Sequence, residues 1–199
     1  MSGLIRQIAV TPRPIDRREA LRYMGGVTAS EEVEALLQSA IEEAKNVFSY
    51  RAIVTELPIE WGDEGLDLGF ATVGSRDLAK ALTGCDRILL LAATVGVGID
   101  RLMARYGRTS PARALCMEAL GSERVEALCD AVCESLAAEY GKLRPRFSAG
   151  YGDLPLSLQR EIFAYMECHK HIGLTLNESL LMSPSKSVTA IIGVPKGEI

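Results

Sequence analysis

The chain has 199 residues, 48% hydrophobic and 24% charged, with a formal net charge of -4. This is the balance of a soluble globular protein with a real core, without the basic footprint of a nucleic-acid binder or any apolar run near the ~20 residues of a membrane span. Met1–Val10 carries one arginine and no apolar core, so it does not read as a signal peptide, and five cysteines without scaffold spacing point to free thiols in a reducing cytoplasm.

Leu4–Ala9 reads as a short extended segment, closed by Pro12 and Pro14. Asp16 is placed to cap a helix over Arg17–Met24, which Gly25-Gly26 stops. Thr28 and Glu31 have capping-box spacing. In the helix predicted next, Val33, Leu36, Leu37, Ala40, Ile41, Ala44, Val47 and Phe48 share one face. Glu31, Glu32 and Glu34 sit at its positive end. Tyr50–Leu57 is β-branched and aromatic and reads as a strand. Leu66, Leu68 and Phe70 alternate with Asp67 and Gly69, which predicts a second, half-exposed strand. Ser75 caps a predicted helix over Arg76–Leu82, ended by Gly84. Ile88–Ala93 is continuously apolar, as a strand buried on both faces would be.

Thr94-Val-Gly-Val-Gly98 then turns into a helix bearing Ile99, Leu102, Met103 and Tyr106. A strand–glycine–helix turn is the setting of a phosphate site. However, a dinucleotide fingerprint needs glycine where Arg101 stands, and no Walker lysine follows. A tight turn is the better reading. Ser110-Pro111 starts a long helical stretch to about Tyr140, which Gly121-Ser122 is expected to divide. Val125, Leu128, Cys129, Val132, Cys133, Leu136 and Tyr140 form its buried stripe. A helix is predicted over Ser157–His169, with Ile162, Phe163 and Met166 inward, and a strand over Ser187–Val194. Helices and strands alternate irregularly. The expectation is one α+β domain over 1–199, with an antiparallel or mixed sheet flanked by helices.

Between the two long helical patterns lies Arg144-Pro-Arg-Phe-Ser-Ala-Gly-Tyr-Gly-Asp153. It gathers two guanidiniums, two aromatic rings, two glycines and a carboxylate. A guanidinium fork suits a carboxylate bidentately. Tyr151 offers a flat apolar face with a polar tip. Gly150 and Gly152 permit unusual backbone or close approach to a ligand. The stretch suits a small molecule with a carboxylate and a flat or sulfur-bearing part. Cys129 and Cys133, with Cys168, His169 and His171, raise the question of a metal. Their spacing is that of a helical stripe, not of a zinc knuckle, and no metal is expected.

Arg146-x-x-x-Gly150-Tyr151 resembles the Arg-x-x-x-Gly-Tyr motif of the activation (reactivation) domain of cobalamin-dependent methionine synthase. The resemblance continues through Leu154-Pro-Leu-Ser157, Lys170-His-Ile-Gly173, Asn177-Glu-Ser179 and Met182-x-Pro-Ser-Lys-Ser-Val-Thr189. It covers about the last 90 residues well and the first half of the chain loosely. An ordered series of motifs is far more specific than one hexapeptide.

The resemblance implies a site for S-adenosylmethionine built from Arg146, Ser148, Gly150, Tyr151 and Glu126. Arg146 would take the ligand's carboxylate. Glu126, in Val125-Glu126-Ala127-Leu128, matches the family glutamate that meets its amino group; by periodicity alone Glu126 is equally a solvated face. The backbone at Ser148 would contact the ligand, in a place often held by alanine. A further acidic contact near the family domain's N-terminus has no match here. The implied role is reductive methylation of cob(II)alamin on a separate cobalamin-dependent methionine synthase or related corrinoid methyltransferase. Cobalamin would sit on the partner chain, and a flavodoxin- or ferredoxin-type donor would supply the electron. Such a domain positions its reactants, and the cofactor and methyl donor carry the chemistry. The alternative is an S-adenosylmethionine-binding regulatory or sensor module. A classical methyltransferase would need a glycine-rich loop after the first strand of a doubly wound sheet, which is missing. No nucleic-acid or membrane partner is expected.

Overall fold

The computed structural model describes residues 3–26, 30–63 and 65–197. Its centre is a four-stranded antiparallel sheet in the order β1-β2-β6-β9, from Arg6–Gln7 (β1), Arg51–Pro58 (β2), Cys85–Thr94 (β6) and Ser187–Pro195 (β9). β2 pairs with β6 from Arg51↔Thr94 to Pro58↔Arg87, and β6 pairs with β9 from Thr94↔Ser187 to Cys85↔Pro195, with a bulge between Cys85 and Arg87. β6 is interior and continuously apolar, as its run predicted. Its alternate residues serve two separate cores. Leu89, Leu91 and Ala93 join one, and Ile88, Leu90 and Ala92 join the other.

The first core lies under four helices, α1 (Arg17–Tyr23), α2 (Glu31–Ala44), α4 (Gly98–Tyr106) and α5 (Pro111–Tyr140). The second lies under a small sheet of β3 (Glu60–Gly62), β4 (Gly65–Asp67) and β5 (Thr72–Val73), with α3 (Arg76–Ala81), α6 (Gln159–Tyr165) and α7 (Cys168–Ile172). A short hairpin of β7 (Thr175–Leu176) and β8 (Met182–Ser183) follows α7. The architecture is α+β, with antiparallel sheets flanked by helices.

α5 is the spine of the helical layer. Its 30 residues span about 45 Å at 1.5 Å per residue. Pro111 opens it at the first turn, where no intrahelical donor is lost. Gly121 does not divide it. A β-carbon there would meet Lys186 Cγ at 2.8 Å, because the nearly buried Lys186 stem crosses the helix at that point to reach Glu118 and Ser122. The glycine is a crossing point, not a break.

Other expectations shift for local reasons. Asp16 caps α1 as predicted, accepting from the amides of Arg18 and Glu19. Thr28 lies outside the described residues; the cap of α2 is Ser30, which accepts from the Val33 amide. α2 stops at Ala44, so Val47 and Phe48 reach the same core from the connection beyond it. The Leu66–Phe70 strand is only β4; Leu68 is buried beyond it, and Phe70 lies outside any strand. The single helix expected over Ser157–His169 is a 3-10 turn at Leu156–Leu158 followed by α6 and α7. The break falls where Glu167 takes a left-handed conformation, φ 44° and ψ 46°. In the turn before α4, β-carbons at Gly96 and Gly98 would strike Ser49 and Val47. These glycines let the turn pack against the α2–β2 connection, in keeping with the tight-turn reading.

Candidate ligand-binding site

The stretch 144–153 runs antiparallel beside β9 and covers its outer edge. The Arg144 amide donates to the Gly193 carbonyl at 2.9 Å, and Phe147 and Ile191 exchange both backbone bonds at 2.9 and 2.8 Å. An otherwise open sheet edge is thereby closed. The two arginines part company here. The Arg144 guanidinium donates to the Thr83 carbonyl at 2.7 Å, at the end of α3. Arg146 turns instead onto α5, with Nη2 on Glu126 at 2.7 Å and Nη1 on Asp130 at 2.6 Å. Nη1 also approaches Cys133 Sγ at 3.8 Å.

Glu126, Asp130 and Cys133 follow one another at helical spacing on the same side of α5, which puts three acceptors around one planar fork. The Arg146 side chain is 23% exposed. Its burial disfavours the charge, but the hydrogen bond to Asp130 and the neighbouring thiols of Cys129 and Cys133 outweigh it, and its pKa is raised. Burial pushes the Cys133 thiol up against the opposing pull of Arg146, and pushes Cys129 up to about 12. Cys129 lies in the helical core and Cys168 in the other core, on the opposite face of the sheet. No group of three or more metal-type ligands is assembled among the described residues.

Beyond Arg146 the chain tightens. The Ser148 hydroxyl donates to the Thr189 carbonyl at 2.8 Å, and the Ser148 carbonyl accepts from the Tyr151 amide at 3.1 Å. Gly150 and Gly152 have φ of 90° and 57°, left-handed values that favour glycine. Tyr151, held between them, is 69% exposed and meets Phe147 edge to face at 5.4 Å. Asp153 docks the far end of the loop. It accepts from the Ser75 hydroxyl, the Arg76 amide at 2.9 Å and the Asp77 amide at 3.2 Å, while Asp77 accepts from the Asp153 amide at 3.2 Å. The Ser75 hydroxyl, followed by the Arg76 amide, holds the Asp153 carboxyl below the usual carboxylate range.

Three hollows meet around this loop. A groove of about 790 Å³ runs past Arg146, Phe147, Ser148 and Tyr151 toward α3. Arg146 shares the next, of about 690 Å³, with Asp130 and Cys133. Those two residues also line a cleft of about 490 Å³ between α1 and α5, together with Glu126 and Glu123. The expected residues Arg146, Ser148 and Tyr151 thus lie along one groove, Gly150 stands just before Tyr151 without lining it, and Glu126 comes to it through its bond to Arg146. The sequence reading put Glu126 on the ligand's amino group and Arg146 on its carboxylate; here they hold each other. It also passed over Asp130, although one helical turn past Glu126 is where a second carboxylate meets the same partner. Nothing in the sequence announced that Asp153 would cap α3.

No protein-family model and no curated protein matches the chain. Among solved structures, the crystal structure of the MetH reactivation domain bound to AdoHcy matches 99% of this chain and 80% of that one, with a TM-score of 0.71 and 16% sequence identity. The fold is the reactivation-domain fold. The likeness extends over the first half of the chain, where the sequence resemblance is loose. No helix among the described residues is long and apolar enough to cross a membrane.

Proposed function

We propose that this chain binds S-adenosylmethionine along the Arg146–Tyr151 groove and supports reductive methylation of cob(II)alamin. The cobalamin would be carried by a corrinoid domain outside these residues, that of a methionine synthase or a related methyltransferase. The observation that carries the reading is the reactivation-domain fold over 99% of the chain, in a neighbour whose structure holds AdoHcy. The site's chemistry agrees with it. Arg146 offers its guanidinium to the ligand's carboxylate, and Glu126 supplies an acceptor for its ammonium while Asp130 orients Arg146. Exposed Tyr151 offers a ring to the sulfonium or adenosine end. Ser148 and Gly152 line the groove on either side of Tyr151.

In this role the residues bind and orient. Gripping both ends of the amino-acid moiety from α5 and the loop fixes the direction in which the methyl group points. Cobalamin on the partner, once reduced by one electron from a flavodoxin- or ferredoxin-type donor, would supply the acceptor for that methyl group, and the groove's residues would keep hold of the S-adenosylhomocysteine that remains.

Isothermal titration with S-adenosylmethionine and S-adenosylhomocysteine tests binding, alone and with a cobalamin-binding domain present. Heat is expected with both. No heat with either ligand under either condition removes the proposal. Capture of the corrinoid domain in the presence of S-adenosylmethionine tests the second half. Ligand binding without such capture would leave a sensor module.

A further inference from the structure

Among the described residues, each carboxylate of the α1–α5 cleft other than Glu126 and Asp130 is matched by a cation or by helix-opening amides. Glu134 pairs with Arg13, Glu123 with Arg124 and Glu19 with Arg22. Asp16 spends its side chain on the amides that open α1. Of the described cations at this cleft, Arg146 alone is shared by two carboxylates, Glu126 and Asp130, at 2.7 and 2.6 Å. One guanidinium and two carboxylates leave this trio one negative charge in surplus, at the meeting of the cleft and the groove.

Resting on the S-adenosylmethionine reading, we infer that Asp130 is a specificity-determining residue: it neutralises Arg146 beforehand, so that the site recognises the ligand's α-ammonium more strongly than its α-carboxylate. Asp130 holds Nη1 while Glu126 holds Nη2. A ligand ammonium that draws Glu126 to itself frees Nη2 for the ligand's carboxylate, and the guanidinium stays oriented by Asp130 throughout. The charge balance sets the selectivity. A complete amino-acid head is neutral and leaves the surplus unchanged. A head without its ammonium brings a second negative charge to a site already negative. A head without its carboxylate brings a positive charge that cancels the surplus. With Asp130 gone, the trio becomes neutral and the preference disappears. Glu126 and Asp130 are 45% and 66% exposed on their side chains, so solvent screens the effect to the scale of a single charged hydrogen bond.

The test uses three thioether ligands that differ only in the head. They are S-adenosylhomocysteine, 5′-S-(3-carboxypropyl)-5′-thioadenosine, which lacks the ammonium, and 5′-S-(3-aminopropyl)-5′-thioadenosine, which lacks the carboxylate. Kd is measured for wild type, Asp130→Asn and Asp130→Glu. In wild type the ligand without ammonium should bind about tenfold more weakly than the ligand without carboxylate. Asp130→Asn should erase that gap, and Asp130→Glu should keep it. Equal weakening of the two truncated ligands in wild type overturns the inference. So does an Asp130→Asn variant that moves all three affinities by one factor, the signature of a purely structural residue. Failure of S-adenosylhomocysteine itself to bind wild type removes the binding proposal, and the inference with it.

Discussion

Two arginines two positions apart do different work, and substitution should separate them. Arg144 ties the loop to the end of α3 through the Thr83 carbonyl and stays exposed. Arg144→Ala is expected to cost less than about 1 kcal/mol of stability and to weaken ligand binding far less than Arg146→Ala. Among the described residues, Arg146 is the only guanidinium that lies along the groove and also reaches the carboxylates of α5. Arg146→Ala removes the partner of the ligand's carboxylate and leaves Glu126 and Asp130 facing it. Each lost charged hydrogen bond is worth about 1.5–3 kcal/mol, so affinity should fall by at least about tenfold. Arg146→Lys should restore only part of it, since an ammonium is a point charge without the fork. Glu126→Gln should cost less than Arg146→Ala, because glutamine loses the charge but keeps an oxygen that accepts from the ammonium. Titration calorimetry on variants shown folded by circular dichroism decides the matter. Equal affinities for wild type and Arg146→Ala would remove Arg146 from the site.

At the scale of elements, the loop is latched at its two ends to different parts of the fold. Its start pairs with β9, and its end caps α3 through Asp153 while Asp77 answers from the helix. Gly152 is the hinge pin of that latch. Its φ is 57°, and a β-carbon would lie 2.3 Å from Asp77 Oδ2. Gly152→Ala should therefore cost about 1–3 kcal/mol and weaken ligand binding, because Tyr151 shifts with the backbone. Urea denaturation and calorimetry on one variant read both effects; an unchanged urea midpoint would show that the latch carries no strain. Asp153→Asn should lower the midpoint at neutral pH and match wild type in acid. The Asp153 carboxyl is depressed, so its contribution is present above the ordinary value of 3.8 and lost as pH falls through its lower folded value. The sequence showed the loop's ingredients but not this latch, because Ser75 and Asp153 are 78 positions apart. Local signals served better where structure is local. Asp16 and Ser75 were legible as caps and β6 as a doubly buried strand. The failures were tertiary. Gly121 reads as a breaker until Lys186 is seen lying across it, and Glu167 breaks a helix with a residue that carries no breaking signal.

At the scale of the molecule, the sheet divides the interior into two cores, and ionisable groups are sealed into both. Cys129 in the helical core and Cys168 in the other are fully buried, and burial pushes both thiols up to about 12. Tyr140, at the end of α5, is also pushed up to about 12, by burial and then by its bond to Glu56. The fold therefore keeps protons that the unfolded chain releases from about pH 9 upward for the thiols. A raised folded pKa gives stability that is complete below the unfolded value and is lost as pH rises through the folded one. Stability should be flat from pH 7 to 8.5 and should then decline toward pH 12. Each retained thiol proton contributes a slope of at most about 1.4 kcal/mol per pH unit. Cys129→Ala lowers overall stability through the small cavity it leaves, but should make the alkaline decline shallower. Urea midpoints at pH 7.5, 9.5 and 10.5 for wild type and Cys129→Ala measure both slopes. The expected result is a steeper fall for wild type. Parallel slopes would mean that Cys129 ionises in the fold as readily as in the open chain, and that the helical core admits water along α5.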